Sequence, residues 1–207
     1  MKYKTREDIG EDLGGYGLHA PFVGASLSVD TLDNVNFPRR GVNFTVDVRR
    51  LFHESESGSV TGNLTDTVWE TSLNVPAAFD KNWSGLLSAR LGEATIPGYF
   101  RLGGAFNLTG TPEGRFTGDR IAVGRLMLMR KIFPGLAEAG IAAYAGVTYE
   151  AGRAFNHTSG FSNHKSDWHH ANALFVGADT WVGPMYLMLG RTYGVGDSLM
   201  FYWGRLH

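Results

Sequence analysis

Residues 99–132 read YFRLGGAFNLTGTPEGRFTGDRIAVGRLMLMRKI, and the fold turns on how they are taken. An extended run from Tyr99 ends in the pair Gly103-Gly104. A loop punctuated by Gly and Pro fills Asn107 to Gly118, and a second extended run leaves it through Ile121 to Lys131. We read the stretch as two membrane-spanning β-strands joined by a long loop that folds back into a barrel. In the second run Leu126, Met127, Leu128 and Met129 are all apolar, so alternation does not assign its faces.

Working outward, the other segments alternate cleanly. Val23, Ala25, Leu27 and Val29 oppose Gly24, Ser26, Ser28 and Asp30, and beyond Phe37-Pro38-Arg39-Arg40-Gly41 the residues Val42, Phe44, Val46 and Val48 oppose Asn43, Thr45, Asp47 and Arg49. Trp69, Thr71, Leu73 and Val75 oppose Glu70, Ser72 and Asn74; Leu87, Ala89 and Leu91 oppose Ser88 and Arg90. Ala139, Ile141, Ala143, Ala145, Val147 and Tyr149 oppose Glu138, Tyr144, Thr148 and Glu150. A period of two is that of a strand with two unlike faces. Further extended segments at 172–180, 185–192 and 198–206, with residues 3–8 as the tail of a strand, bring the count to about eleven. Several have the roughly 9–11 residues that cross a bilayer at a tilt. Short turns alternate with polar loops such as His53 to Asn63 and Asn156 to Asp167, the asymmetry of outer-membrane barrels.

Two solvents could account for this alternation. In a β-sandwich or a filled soluble barrel the apolar face points inward. Here the apolar face is thin in bulky residues, whereas Asp47, Arg49, Glu70, Arg90 and Glu150 stand at strand centres on the other. We therefore expect lipid against the aliphatic face and a lumen against the charged one, with Trp69, Trp83, Trp168, Trp181, Tyr186, Tyr193, Tyr202 and Trp203 as interfacial girdles.

Composition agrees without deciding. The 207 residues include 28 Gly and 13% aromatics, which suits many strands with tight turns. A net charge of -1 offers no basic field, so no nucleic-acid partner is expected. The absence of Cys removes disulfides, thiolate zinc sites and cysteine nucleophiles. The opening MKYKTREDIGEDLGG has no apolar central region and does not read as a signal peptide. No window approaches the roughly 18 apolar residues of a transmembrane helix, which says little about strands.

Chemical motifs are few. Gly24-Ala25-Ser26-Leu27-Ser28 lacks the final Gly of a nucleophile elbow and lies within a strand. His157 and Ser159 have the two-residue spacing by which an imidazole activates a hydroxyl on a barrel strand, but they fall in a Gly-rich polar loop. His164, Asp167, His169 and His170 match no compact ligand spacing, and a solvated loop explains them. No catalytic residue, metal site or cofactor is expected in this chain.

Three motifs carry a family resemblance. FRLGGAFNLTG, Phe100 to Gly110, resembles the strand and in-folded loop of the outer-membrane protein 85 superfamily, the bacterial surface antigen barrels. SVDTLDNVNFPRRG, Ser28 to Gly41, is similar to its Asp-x-x-Asp-x-x-x-Phe-Pro-x-x-Gly hairpin, through Asp30, Asp33, Phe37, Pro38 and Gly41. TYEAGRAF, Thr148 to Phe155, resembles its acidic-x-Gly strand facing the loop tip, through Glu150 and Gly152. The resemblance implies a loop motif at Gly103, Gly104, Leu108, Thr109 and Gly110. Thr109 stands where insertases and two-partner translocases carry Arg, so a neutral hydrogen bond replaces a charge-assisted pair and a weaker loop anchor is expected. The close GVGDSLMFYWGRLH resembles patatin-like phospholipase autotransporters of type V secretion, whose hydrolase domain precedes the barrel; His207 stands where such barrels commonly end in Phe.

The expected fold is all-β, an antiparallel transmembrane β-barrel in which residues 1–207 supply the C-terminal part, about eleven strands of sixteen, with five after the in-folded loop. The implied role is to anchor, and as a second task to export, an upstream lipid hydrolase at the outer membrane of a Gram-negative bacterium. A translocase or insertase barrel is the alternative, and a barrel-borne hydrolase using His157 and Ser159 a further one. Expected partners are outer-membrane lipids and the barrel assembly machinery. An open sheet edge also makes aggregation or a homodimer the expectation for the isolated chain.

Overall fold

The computed structural model describes residues 21–54, 63–133, 141–156 and 167–204. Nine strands form one antiparallel sheet: β1 (Phe22–Asp30), β2 (Asn43–Glu54), β3 (Asn63–Ala78), β4 (Trp83–Ala94), β7 (Arg120–Ile132), β8 (Ala142–Phe155), β9 (His169–Thr180), β10 (Gly183–Thr192) and β11 (Gly196–Trp203). Neighbours in the sheet are neighbours in the chain except between β4 and β7, where β5 (Phe100–Leu102) and β6 (Phe116–Gly118) form a separate two-stranded piece. Among the described residues there is no helix.

The count of about eleven strands in one barrel is corrected here. Tyr3 to Asp8 lies outside the described residues. The run from Tyr99 to Gly104 is no member of the large sheet: its β-structure is the three residues of β5, paired to β6, and the strand preceding the loop is β4, which pairs with β7 from Trp83↔Arg130 to Glu93↔Arg120. The physical reason is the break after Ala94, where the chain turns through Ile96 to Gly98, Gly98 at φ 69°, before Phe100. Phe100 and Leu102 are then buried with Val68, Ala94, Leu108 and Ile121. Five strands of the sheet do follow Gly110, namely β7 to β11.

Strand parity divides the side chains as the alternation demands. Trp83, Leu87 and Leu91 of β4 are exposed while Ser84, Leu86 and Ser88 are buried. On β7 the ambiguity resolves: Leu126 and Leu128 are exposed, whereas Arg125, Met127 and Met129 point inward. On β8 Val147 and Tyr149 face out and Tyr144, Thr148 and Glu150 face in. Leu174, Leu189, Leu199, Phe201 and Trp203 continue the exposed apolar face, with Leu199 at 72% and Leu174 at 59% exposure. Tyr186 and Tyr202 do not join an aromatic girdle. Parity turns both inward, Tyr186 to 1% exposure, and the Tyr186 hydroxyl donates to the Asn36 carbonyl at 3.1 Å.

The sheet is curled, because the hairpin between β1 and β2 reaches strands far along the sheet order. Phe37 stacks on Tyr144 of β8 with ring centroids 4.0 Å apart, and Asn34 and Asn36 donate to the two carboxylate oxygens of Asp179 on β9. Arg39 binds the carbonyls of Asp80 and Lys81 at the β3–β4 turn. All these turns lie at one end, since antiparallel neighbours alternate in direction. The circle is open: β1 and β11 are the two edges, and with nine strands they run in the same direction. Edge to edge they would pair in parallel, without the close hydrogen-bond pairs of the antiparallel ladder used elsewhere.

At this end two turn carboxylates are held in ionised form. Partial burial pushes the Asp33 carboxyl up, but the amides of Arg39, Arg40 and Asn34 together outweigh it and bring it below its ordinary 3.8. The amides of Trp83 and Asn82 do the same for Asp80 on its exposed turn. A depressed carboxylate stabilises the fold above its unfolded pKa, and that contribution is lost as pH falls through the lower folded value. Amide exchange at Arg39, Arg40 and Trp83 should therefore accelerate below about pH 4 relative to strand amides, and Asp33→Asn should abolish the acid dependence at the first two. Unchanged relative protection down to pH 2 would contradict this account of the turns.

Candidate functional site

The site is built where the chain between β4 and β7 turns back onto the inner face of the sheet. Gly103 and Gly104, at φ 126° and 101°, bend the chain out of β5, and the bend is closed by Gly104 N–H to Thr111 O at 2.9 Å and Thr111 N–H to Leu108 O at 3.0 Å. Phe106 and Leu108 also have positive φ, 59° and 69°, conformations that side-chain-bearing residues adopt only under outside constraint. That constraint is burial: Leu108, Thr109 and Thr111 have no measurable exposure and Phe106 has 6%.

At the loop tip Thr109 meets Glu150. The Thr109 amide donates to one carboxylate oxygen at 2.7 Å and its hydroxyl to the other at 2.9 Å; the Thr148 hydroxyl adds a third bond at 2.8 Å. Glu150 is fully buried, where an unpartnered charge is strongly unfavourable and hydrogen bonds must replace its water. The Phe106 amide in turn donates to the Thr109 hydroxyl oxygen at 3.0 Å, which fixes that hydroxyl as a donor to Glu150. On the other side Thr192 of β10 donates to the Thr109 carbonyl at 3.2 Å and accepts from the Thr111 hydroxyl at 2.8 Å. Thr109 thus compensates for its lack of charge by using backbone and hydroxyl together on one carboxylate.

Backbone packs on backbone at this seat. Gly110 has φ 115°, and a Cβ there would lie 2.5 Å from the Thr192 nitrogen; a Cβ on Gly190 would lie 2.5 Å from the Thr109 methyl and 2.6 Å from its carbonyl carbon. A Cβ on Gly152 would lie 3.3 Å from the Leu102 methyls, so the acidic-x-Gly pair contributes a carboxylate and a clearance. Arg125, directly opposite Glu150 in the β7–β8 register, is 5% exposed and donates to the Phe106 carbonyl at 3.2 Å and the Ser88 hydroxyl at 3.1 Å. Its guanidinium lies 5.3 Å from the centre of the Phe106 ring.

The hairpin motif is equally connected. Asp30 accepts from the Leu32 amide, Asp33 from Arg39 and Arg40, Phe37 and Pro38 are buried, and Gly41 at φ 97° leaves no room for a Cβ beside the Thr31 carbonyl. The expected lumen charges Glu70 and Arg90 form an ion pair on the inner face. Between the loop and strands β1 to β4 a cavity of about 730 Å³ remains, lined by Asp30, Thr45, Glu70, Asn74, Arg90, Glu113 and Arg125 among others. A second concavity, about 970 Å³, lies on the opposite, apolar face across Val75, Leu87, Leu126, Val147, Leu174 and Leu189.

Other sequence candidates do not converge. His157, Ser159 and His164 lie outside the described residues. His169 faces inward and stacks on Phe116 at 3.9 Å, whereas His170 faces outward to the Tyr149 hydroxyl at 2.8 Å, so adjacent parity keeps the two imidazoles from sharing an ion. Sequence reasoning missed Asn34, Asn36 and Asp179, as well as Arg125, Thr148 and Thr192. For Arg125 a signal existed, since placing Leu126 and Leu128 outward sends it inward.

No protein-family model matches the chain, and no curated protein matches it. The superfamily resemblance therefore rests on the three quoted motifs.

The close approach at the seat is testable. Gly190→Ala adds one methyl where the Thr109 backbone sits, and overpacking of this kind costs about 1–3 kcal/mol. We expect that loss in equilibrium unfolding together with weakened exchange protection of the Thr109 amide; a variant as stable and protected as the parent would contradict the packing described.

Proposed function

We propose that this chain is part of an outer-membrane β-barrel of the surface antigen superfamily, close to the patatin-like autotransporters, and that it anchors, and serves in exporting, a lipid hydrolase domain carried upstream. The observation that carries the barrel is the inversion of the two faces. Leu126, Leu174, Leu189 and Leu199 are exposed on the outer face while Glu150, Arg125, Glu70 and Arg90 stand on the inner one. Water makes such an arrangement unfavourable by roughly 25 cal/mol for each Å² of apolar surface left exposed, whereas hydrocarbon removes that penalty, the lumen hydrates Glu70 and Arg90, and the in-folded loop bonds Glu150 and Arg125. The apolar groove across β3 to β10 suits acyl chains. Outer-membrane lipids and the assembly machinery are the partners this implies.

The anchoring role, rather than an open channel, is supported by how the inside is filled. Phe106 of the loop packs edge-on against Tyr186 at 5.0 Å, and Phe37 of the hairpin meets the same ring at 5.2 Å. Loop and hairpin thus enter from opposite ends and meet. Thr109 and the closing residues 194–207 favour the autotransporter group on resemblance.

Leu126→Lys on the outer face should cost about 2–4 kcal/mol in lipid vesicles near the bilayer midplane, measured by the folded fraction in a urea titration, while Ser72→Lys on the inner face should change it little. Equal effects of the two substitutions would sink the membrane assignment. Fusing the chain behind a reporter and fractionating cells tests the anchoring role: we expect the reporter in the outer membrane.

A further inference from the structure

Arg125 and Glu150 are opposite partners in the β7–β8 ladder and both point inward. Side chains so placed have Cβ atoms about 4.5–5.5 Å apart, close enough for a guanidinium and a carboxylate to pair. Yet each is bonded to the loop instead: Arg125 to the Phe106 carbonyl, Glu150 to the Thr109 amide and hydroxyl. Among the described residues Arg125 has no carboxylate within ion-pair distance, and its Nε has no hydrogen-bond partner. Two opposite charges, both at least 95% buried, are thus held apart by residues 106–109.

We propose that the loop tip is a displaceable wedge in a latent ion pair: when residues 106–109 leave, Arg125 and Glu150 close on each other. This deepens the barrel assignment, from which it takes only the lipidic medium. The physical basis is that a buried charge stripped of its partner is strongly unfavourable. A loop that merely capped Glu150 and Arg125 would on leaving give each up to lumen water, with no protein partner in exchange. With the pair waiting, withdrawal exchanges charge–dipole contacts for one contact between opposite charges, of the kind a guanidinium and a carboxylate make bidentately. Loop-in and loop-out become two states of one element, biased by whatever binds the loop or the vacated seat.

The test uses the full chain refolded in detergent micelles. The chain has no cysteine, so Glu113→Cys, exposed on the loop, and Leu174→Cys, exposed on β9, take spin labels alone. Pulsed electron resonance then reports one distance for loop-in and a second for loop-out. Thr109→Val removes the hydroxyl bond and should raise the loop-out fraction at least tenfold. Adding Arg125→Met should lower that fraction about tenfold again, whereas adding Arg125→Lys, which keeps a cation for Glu150, should not. If Arg125 only holds the loop in place, Arg125→Met has the opposite sign, and a rise or no change overturns the proposal. Should the double variants not fold, native-state hydrogen exchange on the parent chain decides. The Thr109 and Thr111 amides are expected to open while β7 and β8 stay protected, and opening of loop and strands as one unit would overturn it. Failure of the membrane assignment shows separately, as folding in plain buffer, where the same distances are then measured.

Discussion

A strand presents its side chains to two faces in turn, and moving the register by one residue exchanges the faces completely. The strands on either side of the in-folded loop obey that constraint with the same sign. Trp69, Trp83, Leu87, Leu126, Val147 and Leu189 fall on the outer side and Glu70, Ser88, Arg125, Glu150 and Thr192 on the inner side of β3, β4, β7, β8 and β10. The rest of the structure answers to the demands of the inner side. Charges such as Glu150 and Arg125, withdrawn from bulk water, need more partners than Thr148 and Ser88 of the sheet supply, and the loop between β4 and β7 is shaped to supply the rest.

The inside is therefore organised by two insertions rather than by the sheet alone. The loop brings Phe100, Leu102 and Leu108 into one cluster and Phe106 into another, and the 31–42 hairpin brings Phe37 into the second. Tyr186 stands where they meet, in ring contact with Phe37, Phe106, Phe175 and Tyr202. Glycine at 110 and 190 permits the loop backbone to lie on β10, and the hydroxyl-rich seat around Thr192 holds it. The polar cavity left beside β1 to β4 marks the side of the sheet that neither insertion fills.

Much of this was legible in the residues and some was not. Faces of β1 to β4 and β8 could be read from the parts of each strand where polar and apolar residues alternate, as over Val23 to Asp30 and Val42 to Arg49. On β7 four successive apolar residues erased the pattern, and only the position of the loop explains why Met127 and Met129 can be apolar yet inward: they pack in the aromatic cluster. Phe100-Arg101-Leu102 alternates as a strand does, but three residues cannot reveal which sheet they join. The pairing of Thr109 with Glu150 came into view by resemblance to a motif, not from chemistry, since a threonine and a glutamate 41 positions apart carry no signal of contact. The Asn34 and Asn36 bonds to Asp179 span about 140 residues and depend on curl of the whole sheet. Tyr186 misled because an aromatic near a strand end reads as a girdle unless its parity is followed from the neighbouring strands.

The central claim is that hydrocarbon, not protein or water, solvates the outer face. The most direct measurement is the folding of the parent chain with and without lipid, followed by tryptophan emission in vesicles that carry brominated acyl chains. Our account predicts β-structure with strong quenching of the outward tryptophans Trp69, Trp83 and Trp203 in those vesicles, and self-association when lipid and detergent are absent. A folded, monomeric chain in plain buffer whose emission is indifferent to the brominated lipid would contradict it.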